Sequence, residues 1–392
     1  MGLFDTKKKD KIVAIFDIGS SSVGAALAKI PDDVNGQPHI IASVRTDIVF
    51  HDELKFSDFL DDMIRALSLS VEALYHKKLG APEKIICVLA SPWYISETRL
   101  IKMERTIPFT FTNKLADELL SKEITGLISA YQKKYQNITD APELIEHQVV
   151  TVSINGYPVD EPLGKKTKQI DMNVIISLAP SSCIGRIIEA VSNTFHNTPV
   201  IFSSFMTTVY IAVRDKYISE TSYLLVDVGG EVTDISIVSK NILKASVSFP
   251  FGRQTFFRFL MKQSGLKDIH EAETLFSMYT KDTLEAGQKE KLKPILASIA
   301  TSWSQGFRES IESLPQAFSL PGTVFLISDD DVKEWFSETM RCEEYVKSLV
   351  VEKKCHIVSL EGPEFLDMCK VSGDGCDPFL MIEAIAIMRK QK

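Results

Sequence analysis

Residues Ile12-Val-Ala-Ile-Phe-Asp-Ile-Gly-Ser-Ser-Ser-Val-Gly24 run from an apolar stretch into an Asp-x-Gly turn filled with small hydroxyl side chains. Far downstream, Tyr223-Leu-Leu-Val-Asp-Val-Gly-Gly-Glu-Val-Thr-Asp234 repeats the same order. Short continuous apolar runs bounded by turn signals read as strands buried on both faces. A strand-end Asp followed by glycine and hydroxyl residues suits an anion. Gly19 lets the backbone approach it, and the N–H groups of Ser20, Ser21 and Ser22 can form a nest around it. Asp227, Gly229, Gly230 and Thr233 make a second turn of this kind. Asp17 and Asp227 are candidate holders of a hydrated Mg²⁺, an ion that keeps several of its waters. Two such turns on similar strands predict a duplicated α/β architecture, with both turns facing a cleft at the carboxyl ends of the strands.

Composition narrows the class. Apolar residues make up 45% and charged residues 24%, as in a soluble globular chain, and a net charge of −8 excludes the basic footprint of a nucleic-acid binder. No apolar run reaches the length of a membrane span, so no integral membrane segment is expected. Cys87, Cys183, Cys342, Cys355, Cys369 and Cys376 show neither C-x-x-C nor zinc spacing and read as reduced thiols of a cytosolic protein. The leader Met1-Gly-Leu-Phe-Asp-Thr6 formally fits a myristoylation pattern, but reads better as a short solubilising tail.

Three regions follow along the chain. Residues 1–83 and 179–220 read as a first lobe, 84–178 as an inserted α+β module, and 221–392 as a second lobe with a helical subdomain at about 251–320. Phe56, Phe59, Leu60, Met63 and Leu67 share one face of a helix that stops near Gly80, with Pro82 beyond. Helices are also expected at 113–135, 181–196 and 204–216, and Thr323–Ile327 reads as a last buried strand. Phe249, Phe251, Phe256, Phe257 and Phe259 form an aromatic group expected to pack a core. The segment Pro378–Arg389 is apolar nearly all round and reads as a buried helix.

At this point the sequence resembles the actin-like ATPase superfamily, and within it the FtsA and PilM branch. Asp17-Ile-Gly-Ser-Ser-Ser-Val is similar to the branch's first phosphate motif, and Asp227–Asp234 to its second. Ile154-Asn-Gly-Tyr-Pro-Val-Asp-Glu-Pro-Leu-Gly164 resembles the hairpin of the strand–helix–strand–strand module that FtsA inserts. Pro250-Phe-Gly-Arg-Gln-Thr255 with Glu271-Ala-Glu273 resembles the start of subdomain 2B. The resemblance implies a two-lobed, ribonuclease H-like duplicated fold. It also implies ATP with Mg between the lobes, and adds Glu273 to the candidate nucleotide-binding residues.

The same comparison exposes departures at the nucleotide. Gly24 stands where the family has Lys or Arg, and Glu231 replaces a small residue of the second turn. Phe276 stands at a ribose-side lysine, and Val200–Ser204 lacks the Glu-Pro whose Glu positions water. Asp329-Asp-Asp331 replaces the Gly-Gly turn that lies against adenosine. Uncompensated like charges in a partly dry cleft weaken anion binding by orders of magnitude. The bland reading of Asp329–Asp331 is an N-cap and acidic first turn for a helix at 332–340. The expected function is a cytosolic actin-like scaffold with a degraded ATP pocket and weak or absent ATPase, and no catalytic residue is assigned. Such a scaffold would organise a membrane-associated division or pilus machine, peripheral to the inner face of the membrane through its partner. It could also self-associate into dimers or filaments. The alternatives are an ATP-binding switch and an ATP-dependent small-molecule kinase of the same superfamily.

Overall fold

The computed structural model describes residues 10–33, 36–134, 140–314, 320–342, 356–373 and 376–390. The leader sequence and Cys355 lie outside the described residues. Three sheets organise the chain. The first lobe is built on β1 (Lys11–Ile18), β2 (Ser22–Ile30), β3 (His39–Asp47) and β4 (Lys84–Leu89), completed by β9 (Val200–Ser204) and β15 (Lys370–Val371) in the order β15-β3-β2-β1-β4-β9. The second lobe carries β10 (Tyr223–Val228), β11 (Thr233–Ser239), β12 (Ile242–Phe249), β13 (Thr323–Ser328) and β14 (His356–Ser359) in the order β12-β11-β10-β13-β14.

The duplication read from the two turns is present in the registers. In each lobe the Asp-bearing strand pairs antiparallel with its successor, Asp17 opposite Gly24 and Asp227 opposite Asp234. On its other side it pairs parallel with a crossover strand, Asp17 beside Val88 and Asp227 beside Ile327. Alternation along β1 then divides the core. Ala14 and Phe16 face helices α1 (Phe56–Tyr75) and α3 (Ser181–Ser192), while Val13 and Ile15 face α4 (Phe205–Lys216) and α9 (Pro378–Arg389). Tyr223 and Leu225 of β10 join that second cluster, so α4 and α9 lie between the two lobes and bury surface against both. This explains why α9 is apolar all round: every residue from Leu380 to Met388 is buried.

The insert has its own sheet, β5 (Ile95–Thr110), β8 (Lys166–Pro180), β6 (Pro142–Ile154) and β7 (Tyr157–Pro158), in that order and covered by α2 (Asn113–Lys134). Two boundaries differ from the sequence reading. Lys84–Leu89 belongs to the first-lobe sheet, so the insert begins after it, and residues 370–371 and α9 return to the first lobe from the tail assigned to the second. The long edge strand β5 went unread, because alternating charges at Arg99, Lys102, Glu104 and Arg105 hide its period.

The second lobe's helical part is α5 (Arg253–Ser264), α6 (Ile269–Thr280) and α7 (Ala286–Ser313), with α8 (Lys333–Cys342) beyond β13. Phe256 and Phe257 are fully buried there, as a core aromatic group requires, whereas Phe259 is partly exposed and stacks on Phe251 with centroids 5.7 Å apart. Phe56, read as an inward residue of α1, is 55% exposed.

Candidate functional site

Asp17 and Asp227 end the central strands of their lobes and are both nearly buried where the lobes face each other. The turns that follow close alike: Gly19 N–H donates to the Ser22 carbonyl at 3.1 Å, and Gly229 N–H to the Val232 carbonyl at 3.0 Å. The turns also touch. The Glu231 N–H donates to Ser20 Oγ at 3.0 Å, and a Cβ placed on Gly230 would meet Ser21 N at 2.5 Å and Ser20 O at 2.8 Å. Between them lies a cavity of about 30 Å³, lined by Asp17, Gly19 to Ser22, Arg45, Asp227 to Gly230 and Asp329. That is room for water molecules.

The cation expected to be missing at position 24 comes from a neighbouring strand instead. Arg45 of β3 reaches across Gly24, where a Cβ would stand 2.6 Å from its Nη2. It donates to Asp17 Oδ2 at 2.8 Å, to Ser22 Oγ at 2.8 Å and to Asp377 Oδ2 at 2.8 Å. Burial works against its charge, but Asp17 and Asp377 overcome this and hold the guanidinium firmly protonated. Burial also pushes Asp17 up, with Arg45 as the main opposing influence.

Below them sits Glu383 of α9, fully buried, with neither carboxyl oxygen hydrogen-bonded to a donor. Burial first, and then Asp17, push its pKa well above the ordinary range. A buried carboxyl without donors is disfavoured as the anion. A lone Glu in the apolar run Pro378–Arg389 was the sequence signal for this residue, and it passed unread.

The acidic stretch after β13 is not uncompensated. Arg253 at the start of α5 donates to Asp331 at 2.6 Å and to Glu273 at 2.7 Å, and lies 3.8 Å from Asp329. Lys333 pairs with Asp330 at 3.0 Å. Three aspartates are therefore held by two cations, and the expectation of bare like charges is corrected. The main chain of Asp329 accepts from the Val332 and Lys333 N–H groups at the start of α8. Burial still pushes the Asp329 carboxyl up to about 6, with Arg253 opposing.

Glu231 is likewise paired. Its carboxylate lies on the Arg258 guanidinium, with one contact at 2.7 Å, instead of pointing at a phosphate. Glu273 is engaged by Arg253 and by His270. Thr233 turns away from the cleft: fully buried, it donates to the Phe251 carbonyl at 2.5 Å and accepts from Trp303 Nε1 at 3.2 Å, tying β11 to the helical core. Phe276, the departure at the ribose-side lysine, is buried in that same core. Asp227 is pushed well above the carboxylate range by burial and then by Asp234, Asp17 and Asp329. Asp234 accepts from Ser91 of the first lobe at 3.0 Å and from Ser248.

These groups do not fit Mg-ATP in this arrangement. The acid proposed for the metal in the first lobe is spent on Arg45, and the touching turns leave only about 30 Å³ between them, too little for a triphosphate. Beside them opens a groove of about 890 Å³ lined by Ser21, Ser22, Arg45, residues 47–52, Arg253, Glu273 and Asp329–Asp331, among others. A second, mostly apolar groove of about 620 Å³ runs between the first lobe and the insert, floored by Phe56, Pro92, Tyr94, Ile95, Pro142, Leu178 and Pro180.

No protein-family model and no curated protein matches the sequence. Among solved structures, a chain of the PilM–PilN type IV pilus biogenesis complex is similar at a TM-score of 0.62, covering 96% of this chain and 98% of its own at 12% identity. The chain has the actin-like ATPase fold. This actin-like chain is also similar to the ethanolamine utilization protein EutJ of Carboxydothermus hydrogenoformans (TM-score 0.44, 13% identity, 98% and 92% of the two chains). A Bacteroides thetaiotaomicron protein described as having an actin-like ATPase fold follows (TM-score 0.38, 10% identity, 98% and 99%). Among the described residues no helix is long and apolar enough to cross a membrane.

Proposed function

We propose that this protein is a PilM-like scaffold, which joins a membrane-associated machine by protein–protein contacts and does not turn over ATP. Pilus assembly is favoured over cell division by the likeness to the PilM–PilN chain. The observation that carries the reading is the contact between the two phosphate-type turns, with Asp17 held by Arg45. A triphosphate would have to break that pair and part the Ser20–Glu231 bond before it could bind. The groove between first lobe and insert supports the same reading, since Phe56 and Ile95 leave apolar surface exposed where an extended apolar segment of a partner can lie. The protein is then a cytosolic component brought to the membrane by its partner.

Calorimetric titration with Mg-ATP tests the proposal, with Asp17→Ala alongside. The scaffold reading expects no binding up to millimolar ATP and turnover far below about 1 s⁻¹. Micromolar binding that is lost in Asp17→Ala overturns it in favour of the second reading, an ATP-operated switch. That alternative draws its support from the size of the open groove beside the turns.

A further inference from the structure

In a two-lobed cleft, side chains that reach from one lobe to the other can hold it closed, and Arg258 is one of them. Arg258 of α5, in the second lobe, holds Glu231 with two of its nitrogens and donates through Nε to the His51 carbonyl of the first lobe at 2.7 Å. Its guanidinium lies 5.2 Å from the centre of the Phe50 ring. Phe50 belongs to the loop after β3, yet packs against the hydrophobic core of the second lobe. Ser20 Oγ accepts the Glu231 N–H, Ser21 Oγ donates to Asp329 at 3.4 Å, and Ser91 reaches Asp234. Apart from Arg258–Glu231, which lies within the second lobe, these contacts cross between lobes. Arg258 and Glu231 are 18% and 7% exposed, so water competes little for them.

We propose that Arg258, clamped by Glu231 and seated on Phe50 and the His51 carbonyl, is a built-in latch that holds the two lobes closed without a nucleotide. The proposal rests on the preceding reading, that no triphosphate closes this cleft. It gives Glu231 a role: the carboxylate that replaces a small turn residue orients the arginine that spans the gap. It also gives Gly230 one, because only a residue without a side chain lets the two turns rest on each other.

Small-angle X-ray scattering of the full chain tests this, with and without 5 mM Mg-ATP, for wild type, Arg258→Met and Gly230→Ala. Arg258→Met keeps the length of the stem and removes the charge, while Gly230→Ala drives a wedge between the turns. Circular dichroism confirms that each variant is folded. The expected result is a wild-type profile that matches the closed structure and does not change with Mg-ATP, and a larger radius of gyration in Arg258→Met. Should Gly230→Ala fail to fold, Glu231→Gln replaces it as the second opening variant. A wild-type profile that is open without nucleotide, or an Arg258→Met profile identical to wild type, overturns the latch. The two proposals fail separately. Calorimetric ATP binding with an unchanged closed profile refutes the scaffold reading and leaves the latch, whereas absent binding with an open profile does the reverse.

Discussion

Glu383→Gln should raise stability at neutral pH and flatten its dependence on pH. The native carboxyl is fully buried, has no donor, and lies against Asp17. It is therefore held as the neutral acid, with a folded pKa above its unfolded one. The native state binds a proton that the unfolded chain releases, so stability falls as pH rises above the ordinary value of 4.5. Each pH unit costs about 1.4 kcal/mol while the folded state keeps its proton. Glutamine has nearly the same shape and does not titrate. Thermal unfolding followed by circular dichroism from pH 4.5 to 8 checks this. The midpoints of variant and wild type should coincide near pH 4.5 and separate steadily above it, with the variant higher. Parallel curves, or a variant below wild type by a constant amount, would refute the assignment of the proton to Glu383.

The other ion pairs give predictions of opposite sign. Arg45→Ala removes the cation paired with Asp17 and Asp377, and loss of one partner from a buried pair costs about 3–5 kcal/mol; urea unfolding at pH 7 reads it directly. Arg253→Ala frees Asp331 and Glu273 at a less buried site, so a smaller loss of about 1–3 kcal/mol is expected in the same assay. Asp329→Asn should remove the part of the wild-type stability loss that accrues between pH 4 and 6, since its carboxyl titrates at about 6; the pH series of unfolding midpoints shows whether that segment flattens. Phe56→Asp should leave unfolding midpoints nearly unchanged, because the side chain is mostly exposed, while abolishing pull-down of a partner that wild type retains.

How much of this was legible in the sequence follows from which interactions are local. The paired Asp-x-Gly turns reveal the duplication because strand and turn lie within a dozen residues, and the period of burial matches the period of apolarity. The apolar run of α9 likewise announces a helix enclosed on every side. The charges of the cleft are different. Arg45, Arg253 and Arg258 sit on β3 and α5, and nothing in their own neighbourhoods marks them as partners of Asp17, Asp331 and Glu231. Counting charges turn by turn made Asp329–Asp331 look bare and position 24 look stripped of its cation.

The structure pairs acids of the cleft with cations that stand far from them in the sequence. The Arg45 side chain lies across Gly24, and Glu231 is matched by Arg258 on the next helix. A cleft that had merely lost its ligand would be expected to keep unpaired acids facing each other at the strand ends, with the attendant desolvation cost. Here Asp17 is bound by Arg45, and Asp329 and Asp331 share Arg253, while Asp227 still faces Asp234 and Asp17. Glu231 adds a carboxylate to the second turn and also orients the Arg258 that reaches the first lobe, and Gly230 lets the two turns touch. If the proposed scaffold is held in one shape, these are the contacts that hold it, and a nucleotide entering between the turns would have to part them.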